Sequence, residues 1–234
     1  MKYYITALIF TFSLLAACEK PHTAAAVIAN AVAFHGGEAA MAQLEQLSFD
    51  KTTTTYDSIG NEKSAVAQSF FFNLATQEAR LSWEAQGQAM AVSRNKGRIK
   101  VYSNDSLLSS LPADLKSYES LLNGGLYVYW QPYKLYKDPA HKTYLGVGTL
   151  QGKPVHILEV TYDNSPDVWQ YYFEIDSDRL LANRVLHSGR YSLITNDAIE
   201  QLSGFSLASQ RTSYRVNAAN EILWKQASYV YEMD

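Results

Sequence analysis

The feature that most constrains this chain is one change of hydrophobic period at Leu47. Before it, apolar residues recur every three or four positions. Beyond it they alternate with polar ones, as in Leu81 and Trp83 against Arg80, Ser82 and Glu84, or Ile99 and Val101 against Arg98, Lys100 and Tyr102. A segment of that kind buries one face, and neighbours joined by short turn signals pair antiparallel. Strands are predicted over 47–57, 63–74, 78–85, 88–94 and 97–103, parted by Ser58-Ile59-Gly60-Asn61, Thr76, Gln86-Gly87 and Asn95-Lys96-Gly97. They resume over 142–150, 154–163, 168–176, 181–188, 199–207, 210–217 and 221–232. Within these, Trp169, Tyr171, Phe173 and Ile175 form a stripe opposed to Val168, Gln170, Tyr172 and Glu174.

Ahead of the strands, Ala24, Val27, Ile28, Ala31 and Val32 fall at i, i+3, i+4, i+7 and i+8 behind Thr23, which can cap the first turn. That helix should stop at Gly36 or Gly37, with a shorter one carrying Ala40, Met41 and Leu44 after it. In the middle of the chain Pro112 to Leu122 reads as a helix ended by Asn123-Gly124-Gly125. The aromatic run from Leu126 to Tyr136, with Pro132 at its centre, suits neither a long helix nor an inner strand.

An antiparallel sheet of about ten or more strands must curl as it twists. The expected fold is mainly β with a few helices: a curled antiparallel sheet forming an incomplete, half β-barrel with helices against its concave face. Aromatic content agrees, since 17 Tyr against nine Phe and four Trp favour pleated, half-buried surfaces.

The N-terminus carries an address. Lys2, an apolar run from Ile5 to Leu15, and Ala16-Ala17 make a secretory signal, too short for the roughly 20 residues of a membrane-spanning helix. Leu15-Ala16-Ala17-Cys18 then has the form of a bacterial lipobox, and Cys18 is the only cysteine. The expected organisation is a signal peptide over 1–17, a lipidated N-terminus and short tether over 18–23, and a single half-barrel domain over 24–234 with a helical, aromatic insertion near 105–140. Two or three acyl chains, at about 0.8 kcal/mol per buried CH₂, give a durable membrane anchor. Glu19 in place of Asp favours the outer membrane of a Gram-negative cell envelope. With no second cysteine there is no disulfide, so stability must come from the core. Removing the signal takes one lysine and no acid from a net charge of −3. Such a weakly acidic body, without a basic cluster, excludes nucleic acid as a partner class.

Several segments together carry a resemblance: His35-Gly36-Gly37 after a helix, Trp130-Gln131-Pro132-Tyr133-Lys134-Leu135, Tyr144-Leu145-Gly146, Gly152-Lys153-Pro154-Val155-His156 and Tyr171-Tyr172-Phe173-Glu174-Ile175-Asp176. The chain resembles a family of uncharacterised bacterial lipoproteins related in fold to the outer-membrane lipoprotein-sorting proteins (LolA/LolB-like). The resemblance covers most of the mature chain and implies an unclosed barrel, helices plugging its concave face, and a hydrophobic cavity for acyl chains. Fold by itself does not confer that activity.

No motif for catalysis emerges. His35 at a helix end reads as a cap whose imidazolium would meet the helix dipole. His22, His141, His156 and His187 are scattered, no HExxH spacing occurs, and no serine stands in a Gly-x-Ser-x-Gly elbow. The reading is therefore of no enzyme, no metal and no cofactor. Leu81, Trp83, Ile99, Val101, Trp130, Tyr133, Leu158, Val160, Trp169, Tyr171 and Phe173 are expected on the concave face, lining a cavity for an acyl chain or another apolar ligand. The competing expectation is an interaction module whose groove or sheet edge docks another envelope protein; a hydrolase ranks below both.

Overall fold

The alternation after Leu47 becomes one antiparallel sheet in a computed structural model that describes residues 22–108, 115–129, 131–202 and 204–233. The expectations for the signal peptide, Cys18, the tether as far as residue 21 and Trp130 lie outside the described residues. A first meander runs through β1 (Gln46–Tyr56), β2 (Glu62–Asn73), β3 (Glu78–Ala85), β4 (Gln88–Asn95), β5 (Arg98–Ser103) and the short β6 (Ser106–Leu107). A second comprises β7 (His141–Leu150), β8 (Lys153–Tyr162), β9 (Ser165–Glu174), β10 (Leu180–His187), β11 (Arg190–Leu202), β12 (Phe205–Val216) and β13 (Ile222–Met233). Tight turns set their register: Gln86-Gly87, Lys96-Gly97, Gln151-Gly152 and Ser188-Gly189 all take positive φ at both positions, the geometry that two-residue hairpins require.

The two meanders join where β1 pairs with β13, from Phe49 opposite Met233 to Thr55 opposite Ala227. The strand order β6-β5-β4-β3-β2-β1-β13-β12-β11-β10-β9-β8-β7 leaves β6 and β7 at opposite edges, so the sheet curls without closing. Between Leu107 and His141 the chain must therefore travel from one edge to the other. It does so through α3 (Leu115–Tyr129) and α4 (Gln131–Lys137).

Two expectations are corrected. The strand expected over 199–207 straddles the boundary between β11 and β12, at Gly204 with φ +90°. β11 begins at Arg190, and its pairing with β12 shifts register between Asn196 and Ile199, where Thr195 and Thr212 both donate to Asp197. That polar run hides the strand's alternation. The helix expected to end at Asn123 continues to Tyr129, because Gly125 lies inside α3 where the helix presses on Phe70. The aromatic run, expected to suit neither a long helix nor an inner strand, is divided between the end of α3 and the short α4, with Pro132 in the first turn of α4, where its missing N–H costs nothing.

The helices cover one face of the sheet. α1 (Ala24–Phe34) buries the five stripe residues, and its Thr23 cap accepts from the Ala26 amide at 3.1 Å. Each Val or Ile so buried contributes roughly 1.5–3 kcal/mol. The chain then turns at Gly36, with φ +117° and no room for a Cβ, which would lie 2.7 Å from the Gly204 carbonyl oxygen, into α2 (Gly37–Gln43). Val27, Ile28, Leu122, Leu126 and Leu135 from the helices meet Leu47, Phe49, Phe70, Phe72, Leu81, Val92 and Phe173 from the sheet in the main core. Phe49, Phe70 and Phe72 stack within it, with Phe49 and Phe70 centroids 4.9 Å apart. A smaller cluster of Leu150, Val155, Tyr172, Ala182, Leu193 and Val216 covers part of the other face.

Candidate functional site

Where α3 and the start of α4 cross the concave face they leave a cavity of about 590 Å³. That volume falls in the roughly 300–1,000 Å³ range of small-molecule sites. α3 lends Leu121, Gly124, Gly125, Tyr127 and Val128, and the sheet lends Phe70, Trp169 and Ile194 as apolar lining. Polar side chains enter from neighbouring strands: Lys51 on β1, Tyr171 on β9, Asn183 on β10, Arg211 on β12, and Tyr229 and Tyr231 on β13.

Arg211 organises the polar part. It is only 3% exposed. Its Nη1 donates to the Val128 carbonyl at 3.2 Å, and its Nη2 donates to Gln131 Oε1 at 3.1 Å and Asn183 Oδ1 at 3.0 Å. Because guanidinium only donates, these bonds fix Gln131 with its Oε1 toward Arg211 and its Nε2 toward the Tyr171 hydroxyl, 3.5 Å away. Tyr127 and Tyr162 hydroxyls meet at 3.0 Å, and Tyr162 donates to Asp138 Oδ2 at 2.7 Å. Tyr127 is therefore the donor of its pair.

Burial pushes the Tyr127, Tyr162, Tyr171, Tyr229 and Tyr231 phenols upward, so each stays neutral. The Lys51 ammonium is pulled down to about 8, first by burial and then by the Arg211 charge. Among the described residues no carboxylate lies within 4 Å of Arg211 or Lys51. Asp167 lines the cavity but accepts from His187 Nδ1 at 2.7 Å. Taking an ion out of water costs on the order of several kcal/mol unless it is paired. Here two cations share a site whose other polar groups are neutral or already engaged.

Of the residues expected to line a cavity, Trp169 and Tyr171 do so. Leu81, Val101, Leu158, Val160 and Phe173 are fully buried in the main core, with Trp83, Ile99 and Tyr133 packed at its margin. Tyr133 borders a separate hollow beside Met41 and Leu74. Neither Lys51 nor Arg211 was among the expected residues. Lys51 carried a signal, since it follows Leu47 and Phe49 in the β1 alternation; Arg211 carried less, since Ser209 and Ser213, its nearest neighbours of like parity, are polar.

The histidines lie elsewhere. His35 is buried, donates its Nδ1 proton to the Ser206 carbonyl, and is held down at about 4 chiefly by burial. The expected charged cap is thus corrected to a neutral one, because no water reaches the ring to stabilise an imidazolium. The His22 and His156 rings meet at a tilt with centroids 4.5 Å apart, and His156 Nδ1 meets the Tyr144 hydroxyl at 3.0 Å. Among the described residues no group of three His, Cys, Asp or Glu is placed to hold a metal ion.

The open sheet, thirteen-stranded among the described residues and crossed on its concave face by helices, defines the half-barrel class. Within that class the fold is LolA-like: a LolA superfamily protein from Nitrosomonas europaea superposes with a TM-score of 0.57, covering 91% of this chain and 92% of its own at 10% identity. A DUF1329 family protein from Desulfovibrio piger gives a TM-score of 0.46 over 89% and 90% of the two chains at 12% identity. Lipoprotein LppX of Mycobacterium tuberculosis gives 0.34 over 90% and 93% at 11% identity. No protein-family model and no curated protein matches the sequence.

Proposed function

We propose that this chain is a lipid-anchored envelope protein that holds a lipid or other apolar ligand in its half-barrel cavity and carries out no covalent chemistry on it. The observation that carries this reading is the cavity itself: aromatic and aliphatic walls from Phe70, Leu121, Val128, Trp169 and Ile194, with a few placed polar groups. The likeness of fold to a LolA superfamily protein supports it, and the lipobox at Cys18 supports tethering to the outer membrane.

Apolar burial alone is a sufficient mechanism. A few hundred Å² of acyl surface at about 25 cal/mol per Å² supplies several kcal/mol before ordering costs. Because α3 forms one wall, release requires a competing acceptor or a shift of α3 against the sheet. The test is titration of the chain from Glu19 onward with a fluorescent fatty-acid probe. Saturable uptake near one per chain supports the reading; no uptake by folded protein that carries no ligand contradicts it and favours docking of an envelope protein instead.

A further inference from the structure

We propose that the cavity selects amphiphiles with an anionic head, a carboxylate or a phosphate monoester, held by Arg211 and Lys51 while the chain lies against Phe70, Leu121 and Trp169. This rests on the reading that the cavity takes an apolar ligand, and adds the chemistry of its polar end.

The strand order carries the argument. β12 and β1 flank β13, so Arg211 and Lys51 stand on either side of one strand, Arg211 opposite Tyr229 and Lys51 opposite Tyr231. The Lys51 ammonium lies 5.2 Å from the centre of the Tyr229 ring, which links the two cations. Every acceptor that Arg211 uses is uncharged, and its buried Nε has no partner. Anchoring α3 and α4 accounts for Arg211 alone; it leaves Lys51 short of a counter-charge, since that ammonium makes no hydrogen bond among the described residues and meets the neutral Tyr229 ring while Arg211 repels it. An anionic head supplies the missing counter-charge to both, where charge-assisted bonds are stronger than neutral ones. A site built for a neutral ligand would not place a second cation beside a buried first one.

The experiment is calorimetric titration at pH 7 of the chain from Glu19 onward, which holds every described element, with dodecanoate, dodecyl phosphate, dodecanol and inorganic phosphate. The expected result is that at least one anionic amphiphile binds about ten- to a hundredfold tighter than dodecanol. Which of the two binds tighter tells a fatty-acid head from a phospholipid-type head. Lys51→Met should shrink the preference to within about threefold. Arg211→Met should act the same way if it folds; if it does not, Lys51→Met decides. Equal binding of all three amphiphiles, or a preference untouched by Lys51→Met, overturns the proposal while leaving lipid binding intact. Inorganic phosphate binding as tightly as dodecyl phosphate overturns it in favour of a simple anion site, and failure of every amphiphile to bind defeats the underlying function instead.

Discussion

A Cβ placed on Gly125 of α3 would sit 2.4 Å from Cε1 of Phe70, whereas one placed on the adjacent Gly124 would meet nothing within 4 Å. The two neighbours should therefore respond to alanine with opposite signs. Gly124→Ala gains the helix-interior preference for alanine and should stabilise by up to about 1 kcal/mol. Gly125→Ala must push a ring already stacked on Phe49 and Phe72, and overpacking of about 1–3 kcal/mol outweighs the same propensity gain. Denaturant midpoints of the two variants check this; equal shifts would mean that α3 does not press on Phe70.

His35 gives a pH dependence of stability. Its folded-state value is depressed from 6.5 to about 4, so between those values the unfolded chain binds more protons than the folded one. Stability from this group is complete above about pH 6.5 and is lost as pH falls toward 4, a loss of roughly 3 kcal/mol. His156 is also lowered, by burial first, so the informative quantity is a difference. The stability gap between the native chain and His35→Gln should narrow by that amount from pH 6.5 to 4. A gap that stays constant would show that His35 does not titrate as a buried neutral ring.

Much of this was legible in the sequence, for reasons visible in particular residues. The stripe from Ala24 to Val32 had a helical period and a capping Thr23, and all five positions are buried. Hairpins such as the one at Gln86-Gly87 were legible because their turns demand positive φ. The start of β11 was not, since Thr195, Asn196 and Asp197 satisfy one another and neighbouring strands by hydrogen bonds rather than by apolar burial. The continuation of α3 was hidden too. Glycine marks a helix end locally, and only the tertiary approach of Phe70 gives Gly125 its place inside the helix. In the same way, the polar end of the cavity depends on strands far apart in sequence meeting across β13.

Binding of an anionic amphiphile should weaken as pH rises through about 8, because Lys51 loses its proton there in the empty protein. The other charged and titratable groups of the cavity are Arg211, Asp167, which is engaged by His187, and Tyr127, Tyr162, Tyr171, Tyr229 and Tyr231, whose phenols are raised and stay neutral. Titrations of dodecanoate between pH 7 and 9.5 should show the loss in the native chain and not in Lys51→Met. An identical profile in both would remove Lys51 from the site.

On the proposed anchoring, Cys18→Ser removes the acyl acceptor. The variant should be absent from outer-membrane fractions in which the native protein persists through high-salt washing. Its retention there would mean that the body of the protein, not the acyl chains, makes the attachment.

The most direct test of the central claim is native mass spectrometry, with lipid extraction, on the chain from Glu19 onward purified without detergent from its own host. The account predicts a co-purifying species near one per chain that extracts as an acyl-containing, anionic lipid and is lost or diminished in Lys51→Met. A folded protein of bare polypeptide mass, with nothing extractable and no uptake of added amphiphile, would contradict it.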